Sequence, residues 1–173
     1  MTQTVSNCCL PPFQRTLHAL SAIIDKAAAF ATARKVEESV ILTSRLAPDM
    51  FTFTRQVQLA CDFAKNAAAR LAGVEPVKYE DTEKSFADLQ ARIKTTLDYI
   101  ASLDTKAIDT SADRELSLPF GPRRVQMKGA DYLHHFALPN FYFHTTTAYA
   151  ILRNLGVELG KQDFMGVVPG LSA

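Results

Sequence analysis

The sequence has no tryptophan, only three cysteines and almost no net charge. Cys8 and Cys9 are adjacent and Cys61 is distant, and an odd count of this kind does not fit a disulfide framework. Free thiols suit a reducing compartment. The first residues also lack the basic and apolar regions of a secretory signal. We therefore expect a cytoplasmic protein.

The charge balance and the absence of long apolar runs exclude two kinds of partner. A net charge of +1 and a pI near 7.7 leave no broad basic surface for nucleic acid. The one basic run, "GPRRVQMKG", is short and fits a solvated turn better. No apolar stretch reaches the ~18 residues that span a bilayer. We expect no nucleic-acid partner and no membrane partner.

Familiar chemical motifs are missing as well. The chain contains no glycine-rich phosphate loop, no nucleophile elbow and no CxxC zinc pair. Phosphate-loop enzymes, serine hydrolases of that type and zinc-ribbon proteins are thereby excluded, and no cofactor is predicted.

What the sequence does contain is a helical pattern. Its 173 residues, 47% hydrophobic and 21% charged, fit a single domain over 1–173. Apolar residues recur at spacings of three and four in four segments, which predicts helices at about 11–33, 50–72, 82–103 and 131–155, followed by an irregular tail at 157–173. We number these predicted helices one to four.

The segment between predicted helices three and four has a different period. Leu116, Leu118 and Phe120 alternate with polar neighbours, and Gly121-Pro122 follows them. This pattern favours a small β-hairpin or an extended crossover. Four helices with one long crossover predict an all-α four-helix bundle.

Local signals suggest where some helices begin and end. Pro48 and Asp49 can start helix two, and Asp81 or Thr82 can cap helix three. Gly73 is a natural residue to end helix two.

Helix two also carries a polar arc at helical spacing: Arg55, Gln58, Asp62 and Lys65. A solvated or salt-bridged face is the interpretation we prefer for this arc.

Three of the four histidines fall in one stretch, "HHFALPNFYFHTTTAYAILRNLG". On a straight helix the core-facing positions are Leu133, Phe136, Asn140, Phe143, His144, Thr147 and Ile151, whereas His134 and His135 point elsewhere. Pro139 is expected to kink the helix. We predict that His144 is buried and neutral, has a lowered pKa, and hydrogen-bonds either Asn140 or a polar group of helix two.

The spacing of Asn140 and His144 is that of two metal ligands on one helical face, but asparagine is a poor substitute for imidazole. No second inward histidine accompanies His144, so a structural role is favoured over metal ligation and no metal site is predicted.

Two long motifs resemble a known family. "RLAPDMFTFTRQVQLACDFAKNAAARLAGVEP" and "HHFALPNFYFHTTTAYAILRNLGVELGKQDFMG", with "YEDTEKSFADLQARI" between them, are similar to the DUF1993 family within the DinB/YfiT-like superfamily of helical bundles. The resemblance covers about residues 10–166. It implies an up–down bundle and a homodimer.

The resemblance also implies a site. The wider superfamily holds a divalent metal on three histidines, and some of its members are thiol-dependent transferases or isomerases. Matched by motif, His144 is one ligand, Asn140 takes the place of the second, and Ala60 or Cys61 takes the place of the third.

Three functions follow from these patterns. The first is small-molecule binding in a metal-free pocket lined by Ala60, Cys61, Asn140, His144 and Thr147, with or without catalysis by His144 as acid or base. The second is a metal-dependent transferase or isomerase with an altered ligand set: His144, Cys61 or Asp62, and Asn140 or His18. The third is a structural homodimer. Whether the protein is an enzyme stays open here.

Overall fold

The computed structural model describes residues 4–170, apart from the side chain of Phe120. The chain forms a helical bundle with one small hairpin, as predicted. In chain order its elements are α1 Val5–Arg34, α2 Glu38–Leu42, α3 Phe53–Ala72, α4 Phe86–Ala101, α5 Thr105–Asp109, β1 Glu115–Phe120, β2 Arg123–Lys128, α6 Gly129–Asp131, a π-helical stretch Tyr132–Ala137, α7 Leu138–Asn154 and α8 Lys161–Met165.

Helix α3 is the central element of the bundle. It packs most extensively against α7 and next against α4, while α1 packs against α4 and α8. Its alanines at positions 60, 64, 67 and 68 are fully buried, which lets neighbouring helices approach closely. One apolar residue of each of the four long helices shows where the core lies: Leu17, Val57, Ile93 and Ile151 are all buried.

Helix α1 begins at Val5 rather than at about residue 11, so the predicted start was wrong. The hydroxyl of Thr4 accepts a hydrogen bond from the backbone N–H of Asn7 and caps the helix. Pro11 and Pro12 therefore lie inside α1 instead of opening it. Buried Cys9 precedes them, so the apolar face of this helix continues upstream of the prolines.

The caps of the next two long helices also differ from prediction. Thr52, not Pro48 or Asp49, caps α3, and Ser85, not Asp81 or Thr82, caps α4. Ser85 accepts from the backbone N–H of Asp88. The end of α3 is as predicted, because Gly73 adopts the left-handed conformation at φ 77°.

The hairpin between the third and fourth long helices is confirmed. β1 and β2 pair antiparallel, with Leu116 opposite Met127 and Leu118 opposite Val125, and both leucines are buried. The turn lies at Gly121-Pro122, and Gly121 has φ 58°.

The fourth long helix departs from a straight α-helix just before Pro139. A π-helical stretch at Tyr132–Ala137 precedes α7, and Pro139 lies in the first turn of α7, where its missing N–H is tolerated. A wider turn shifts the helical faces on its two sides relative to each other. The buried residues of α7 are consequently Phe141, His144, Thr145, Thr147, Ala148, Ile151 and Leu152.

This shift corrects part of the predicted core face. Phe143, expected in the core, is 57% exposed, and Asn140 is only half-buried. His144 lies on both the predicted stripe and the observed one, and it is buried. Within residues 4–170 no helix combines the length and hydropathy needed to cross a membrane.

Replacement of Ile151 by alanine should lower the free energy of unfolding by about 2–5 kcal/mol, because the buried side chain leaves a cavity between packed helices. Urea denaturation of the variant measures this change. Val167→Ala is the control, since Val167 is 87% exposed and its truncation should change little. An unchanged midpoint for Ile151→Ala would contradict the assigned core face of α7.

Candidate functional site

The residue that faces His144 across the bundle is Gln56 of α3. The imidazole Nδ1 lies 2.7 Å from the Gln56 Oε1 atom. The amide nitrogen of Gln56 points the other way and lies 3.5 Å from the carbonyl oxygen of Phe51. Because Oε1 can only accept, this geometry places the imidazole proton on Nδ1. The Nε2 atom of His144 then carries the lone pair.

Aromatic rings enclose the His144 ring on two sides. Phe63 of α3 stacks on it with centroids 5.4 Å apart and an interplanar angle of 19°, and Phe143 contacts it edge-on at 5.3 Å. The residue as a whole is 7% exposed. Phe143 is 57% exposed, so its ring is an apolar border to the histidine at the protein surface.

Burial lowers the pKa of His144 to about 4, and the nearby positive charge of Arg55 acts in the same direction. The ring is therefore neutral near pH 7. The predicted burial, neutrality and direction of the pKa shift are all confirmed. The hydrogen-bond partner is the helix-two alternative, Gln56, and not Asn140, whose side-chain amide donates to the carbonyl of Phe136 on its own helical stretch.

The structure places the other predicted site residues as follows. Ala60 lies one turn after Gln56 on α3 and is fully buried. Thr147 lies one turn after His144, and its hydroxyl donates to the carbonyl of Phe143. Cys61 is rotated by about 100° from Ala60, so its polar neighbours are instead Thr96 and Arg92 of α4. Sequence reasoning did not identify Gln56, although its i, i+4 spacing with Ala60 puts both on one helical face.

The side chains near His144 do not fit the three-histidine metal site that the resemblance implies. Gln56 already occupies Nδ1, and Asn140 bonds to its own helix. The altered ligand set does not converge either, since Asp62 pairs with Arg92 and Lys65, and His18 is exposed on α1. Within residues 4–170 no group of three histidine, cysteine or carboxylate side chains is arranged to hold a metal ion.

A second polar cluster lies on the opposite edge of α3, where the sequence predicts a solvated or salt-bridged arc. Three residues of the polar arc of α3, Arg55, Gln58 and Lys65, contact residues 75–84, which we call the strap. Gln58 donates to Glu83 at 2.7 Å, Arg55 pairs with Asp81, and Lys65 donates to the carbonyl of Val77 at 2.6 Å. The strap has neither helix nor strand.

Arg92 of α4 is the centre of this cluster. Its side chain is 3% exposed and contacts the carboxylates of Glu83 at 2.7 Å and of Asp62 and Asp81 at 3.1 Å. Lys65, also 3% exposed, lies 3.1 Å from Asp62. Burial of two cations is tolerated because each has charged partners.

Tyr79 of the strap lies between these cations. The Lys65 Nζ atom is 4.0 Å from the centre of its ring and the Arg92 guanidinium is 5.3 Å away. Two sealed side-chain atoms in the described part of the chain have no hydrogen-bond partner, the Tyr79 hydroxyl and Arg92 Nε. The Thr96 hydroxyl is near that of Tyr79 and donates to the carbonyl of Arg92.

Comparison with known proteins identifies the family. The DUF1993 model, described as a domain of unknown function, matches residues 6–165. The chain is also similar to a solved structure described as a DinB family member protein from Shewanella denitrificans, with 40% identity over 96% of this chain and 94% of that chain, and a TM-score of 0.89. No curated protein matches the chain.

Replacing Gln56 with methionine should lower the free energy of unfolding by about 1–3 kcal/mol, because the Nδ1–H group of His144 would lose its acceptor. The proton should also redistribute between the ring nitrogens, which nitrogen NMR of the imidazole detects. Gln56→Glu is the control, since it keeps an acceptor and should keep the proton on Nδ1. The assigned tautomer would be wrong if the wild-type ring already carried its proton on Nε2.

The lowered pKa of His144 also predicts a pH dependence of stability. Between the ordinary value of 6.5 and about 4, the unfolded chain binds a proton that the folded chain does not. Stability from this residue is therefore complete above pH 6.5 and falls as the pH falls towards 4. His144→Gln should show a smaller loss over that interval than the wild type when both are unfolded with urea. Equal losses would show that His144 titrates alike in both states.

Proposed function

Because the chain belongs to the DUF1993 family, a domain of unknown function, its activity has to be argued from its own side chains, and we propose that it binds a small molecule between α3 and α7 through His144. The observation that carries this proposal is the free lone pair of Nε2. No hydrogen bond among the described residues involves that atom. It is also not among their sealed atoms without a partner, so it retains access to the surface.

The environment of Nε2 favours one class of ligand. The nitrogen is a hydrogen-bond acceptor near pH 7, because the Nδ1 proton is committed to Gln56 and the pKa is low. Phe143 supplies exposed apolar surface beside the ring. Apolar walls with a few convergent polar groups are typical of small-molecule sites. A flat, uncharged molecule with an O–H or N–H donor fits these features.

Three of the other predicted site residues remain part of the proposal. Asn140 and Thr147 lie about one turn before and after His144 on α7, so a ligand at Nε2 would pass close to them. Each currently bonds a carbonyl of its own helix and would turn outward to contact a ligand. Ala60 is fully buried and belongs to the α3 side of the site.

If the protein is a metal-free enzyme, the Nε2 atom of His144 is its general base. A neutral imidazole with a free lone pair can take a proton from a bound O–H group, and its fixed Nδ1 proton keeps the ring oriented. The low pKa makes it a weak base, which favours binding over catalysis. The homodimer that the resemblance implies belongs to the proposal as well, and light scattering of the purified protein tests it.

The proposal is tested with phenol and indole as probes, since both are flat and carry one donor. We expect each to shift the NMR signals of the His144 ring. His144→Asn should abolish binding with the fold intact, because the asparagine amide can replace Nδ1 towards Gln56 but has no counterpart of Nε2.

Thr146→Ala is the matched control, since Thr146 is exposed on the same helix. It should bind both probes as the wild type does. If neither probe shifts the His144 ring, or if His144→Asn binds them equally well, the ring serves only to pack α7 against α3 and the proposal fails.

A further inference from the structure

The strap is fastened to the bundle by charge and not by apolar burial. None of residues 75–84 is fully buried, and Val77 is 41% exposed. Its attachments are the ion pairs and hydrogen bonds to Arg55, Gln58, Lys65 and Arg92. A segment with few apolar contacts opens at a lower free energy than the core does. Salt weakens such contacts further.

Beneath the strap lies the thiol of Cys61. Cys61 is fully buried, and its polar neighbours are Thr96 and Arg92 of α4, Glu83 of the strap and Asp62 beside it in sequence. Tyr79 of the strap is the aromatic side chain next to this group. When the strap lifts, Tyr79 and Glu83 leave together, and the thiol faces a cleft between α3 and α4.

Two residues next to Cys61, Arg92 and Tyr79, each have a buried atom without a hydrogen-bond partner. Arg92 is almost fully buried, yet its Nε–H donates to nothing in the described part of the chain, and the hydroxyl of Tyr79 is likewise sealed and unpaired. A buried donor without an acceptor destabilises the closed state. Opening relieves both atoms, and an acceptor group attached to Cys61 would satisfy Arg92.

We propose that Cys61 is a cryptic thiol-modification site that the strap covers, and that low-molecular-weight disulfides react with it when the strap opens. The thiol gives its proton to solvent, and the thiolate attacks one sulfur of the disulfide. That S–S bond breaks, a mixed disulfide forms on Cys61, and the second sulfur leaves as a thiolate that takes up a proton. The Cys61 sulfur is oxidised and the leaving sulfur is reduced. The adduct occupies the position of Tyr79, so it holds the strap open.

Cys9 provides an internal comparison within the same molecule. Both thiols are fully buried, and burial raises the pKa of each to about 12. Both belong to the hydrophobic core, and the difference between them is that Glu83 and Tyr79 of the strap are neighbours of Cys61, whereas Cys9 lies within α1. The rates at which Cys61 and Cys9 react should therefore differ because of their access to the reagent and not because of their acidity.

The test uses the Cys8→Ser protein and the neutral aromatic disulfide dithiodipyridine, with the adducts at Cys9 and Cys61 measured separately by mass spectrometry of peptides. Cys61 should react at least about tenfold faster than Cys9, because local opening needs less free energy than global unfolding. Added sodium chloride should accelerate Cys61 alone. Glutathione disulfide should modify the same cysteine and leave a glutathionyl group on it, and dithiothreitol should remove either adduct.

Removal of the strap's charges makes the test specific. Asp81→Asn combined with Glu83→Gln should accelerate labelling of Cys61 by about a further tenfold and leave Cys9 unchanged, because the contacts of Arg92 and Arg55 with the strap are weakened. Asp98→Asn is the matched control, since it removes an exposed ion pair with Lys94 elsewhere on α4 and should accelerate neither thiol.

Three results would overturn the proposal. Equal rates for Cys9 and Cys61 in the parent protein would place both thiols behind the same barrier. Equal acceleration of both by the strap variant would mean that the whole fold had been destabilised. No acceleration of Cys61 would mean that the strap does not control access to it.

Discussion

The burial of α3 on more than one side is the constraint on which the other features depend. A helix surrounded by neighbours cannot leave its polar side chains to water, so each of them must find a partner in the bundle. Gln56 finds one in His144 on α7. On the opposite edge, Gln58 and Lys65 find partners in the strap. The His144–Gln56 pair and the strap cluster thus lie on different sides of α3, and each gives hydrogen-bond or charged partners to polar side chains of this helix.

Much of the architecture was predictable because it follows from local rules. The apolar periodicity located all four long helices, Gly73 marked the end of α3, and alternation around Gly121 predicted the hairpin. Helix starts were predicted less well, because several residues can cap a helix and tertiary contacts choose among them. Asp81 was a reasonable cap by sequence, but its carboxylate pairs with Arg55 and Arg92, and Ser85 caps α4 instead.

The candidate site was predictable in part. His144 was expected to be buried and neutral, and it is, because its position falls on the core face with or without a wider turn. Phe143 was misplaced because periodicity assumes 3.6 residues per turn, and the π-helical stretch before α7 breaks that assumption. The polar arc of α3 was predicted to be solvated or salt-bridged, and the salt-bridged alternative is the one observed. Its partner could not be inferred, because the strap has no periodic pattern and its contacts join residues far apart in sequence.

Arg55 links the two clusters through its charge. Its guanidinium pairs with Asp81 of the strap, and its positive charge also lowers the pKa of His144. With the strap closed, Asp81 offsets part of that charge. With the strap open, the offset is lost, so the field of Arg55 at His144 becomes more positive and the neutral ring is favoured further. Arg55 is itself partly exposed, so solvent screens the effect and keeps it small. The electrostatics of the α3–α7 site therefore depend on whether the strap is closed, although no residue of the strap needs to contact His144.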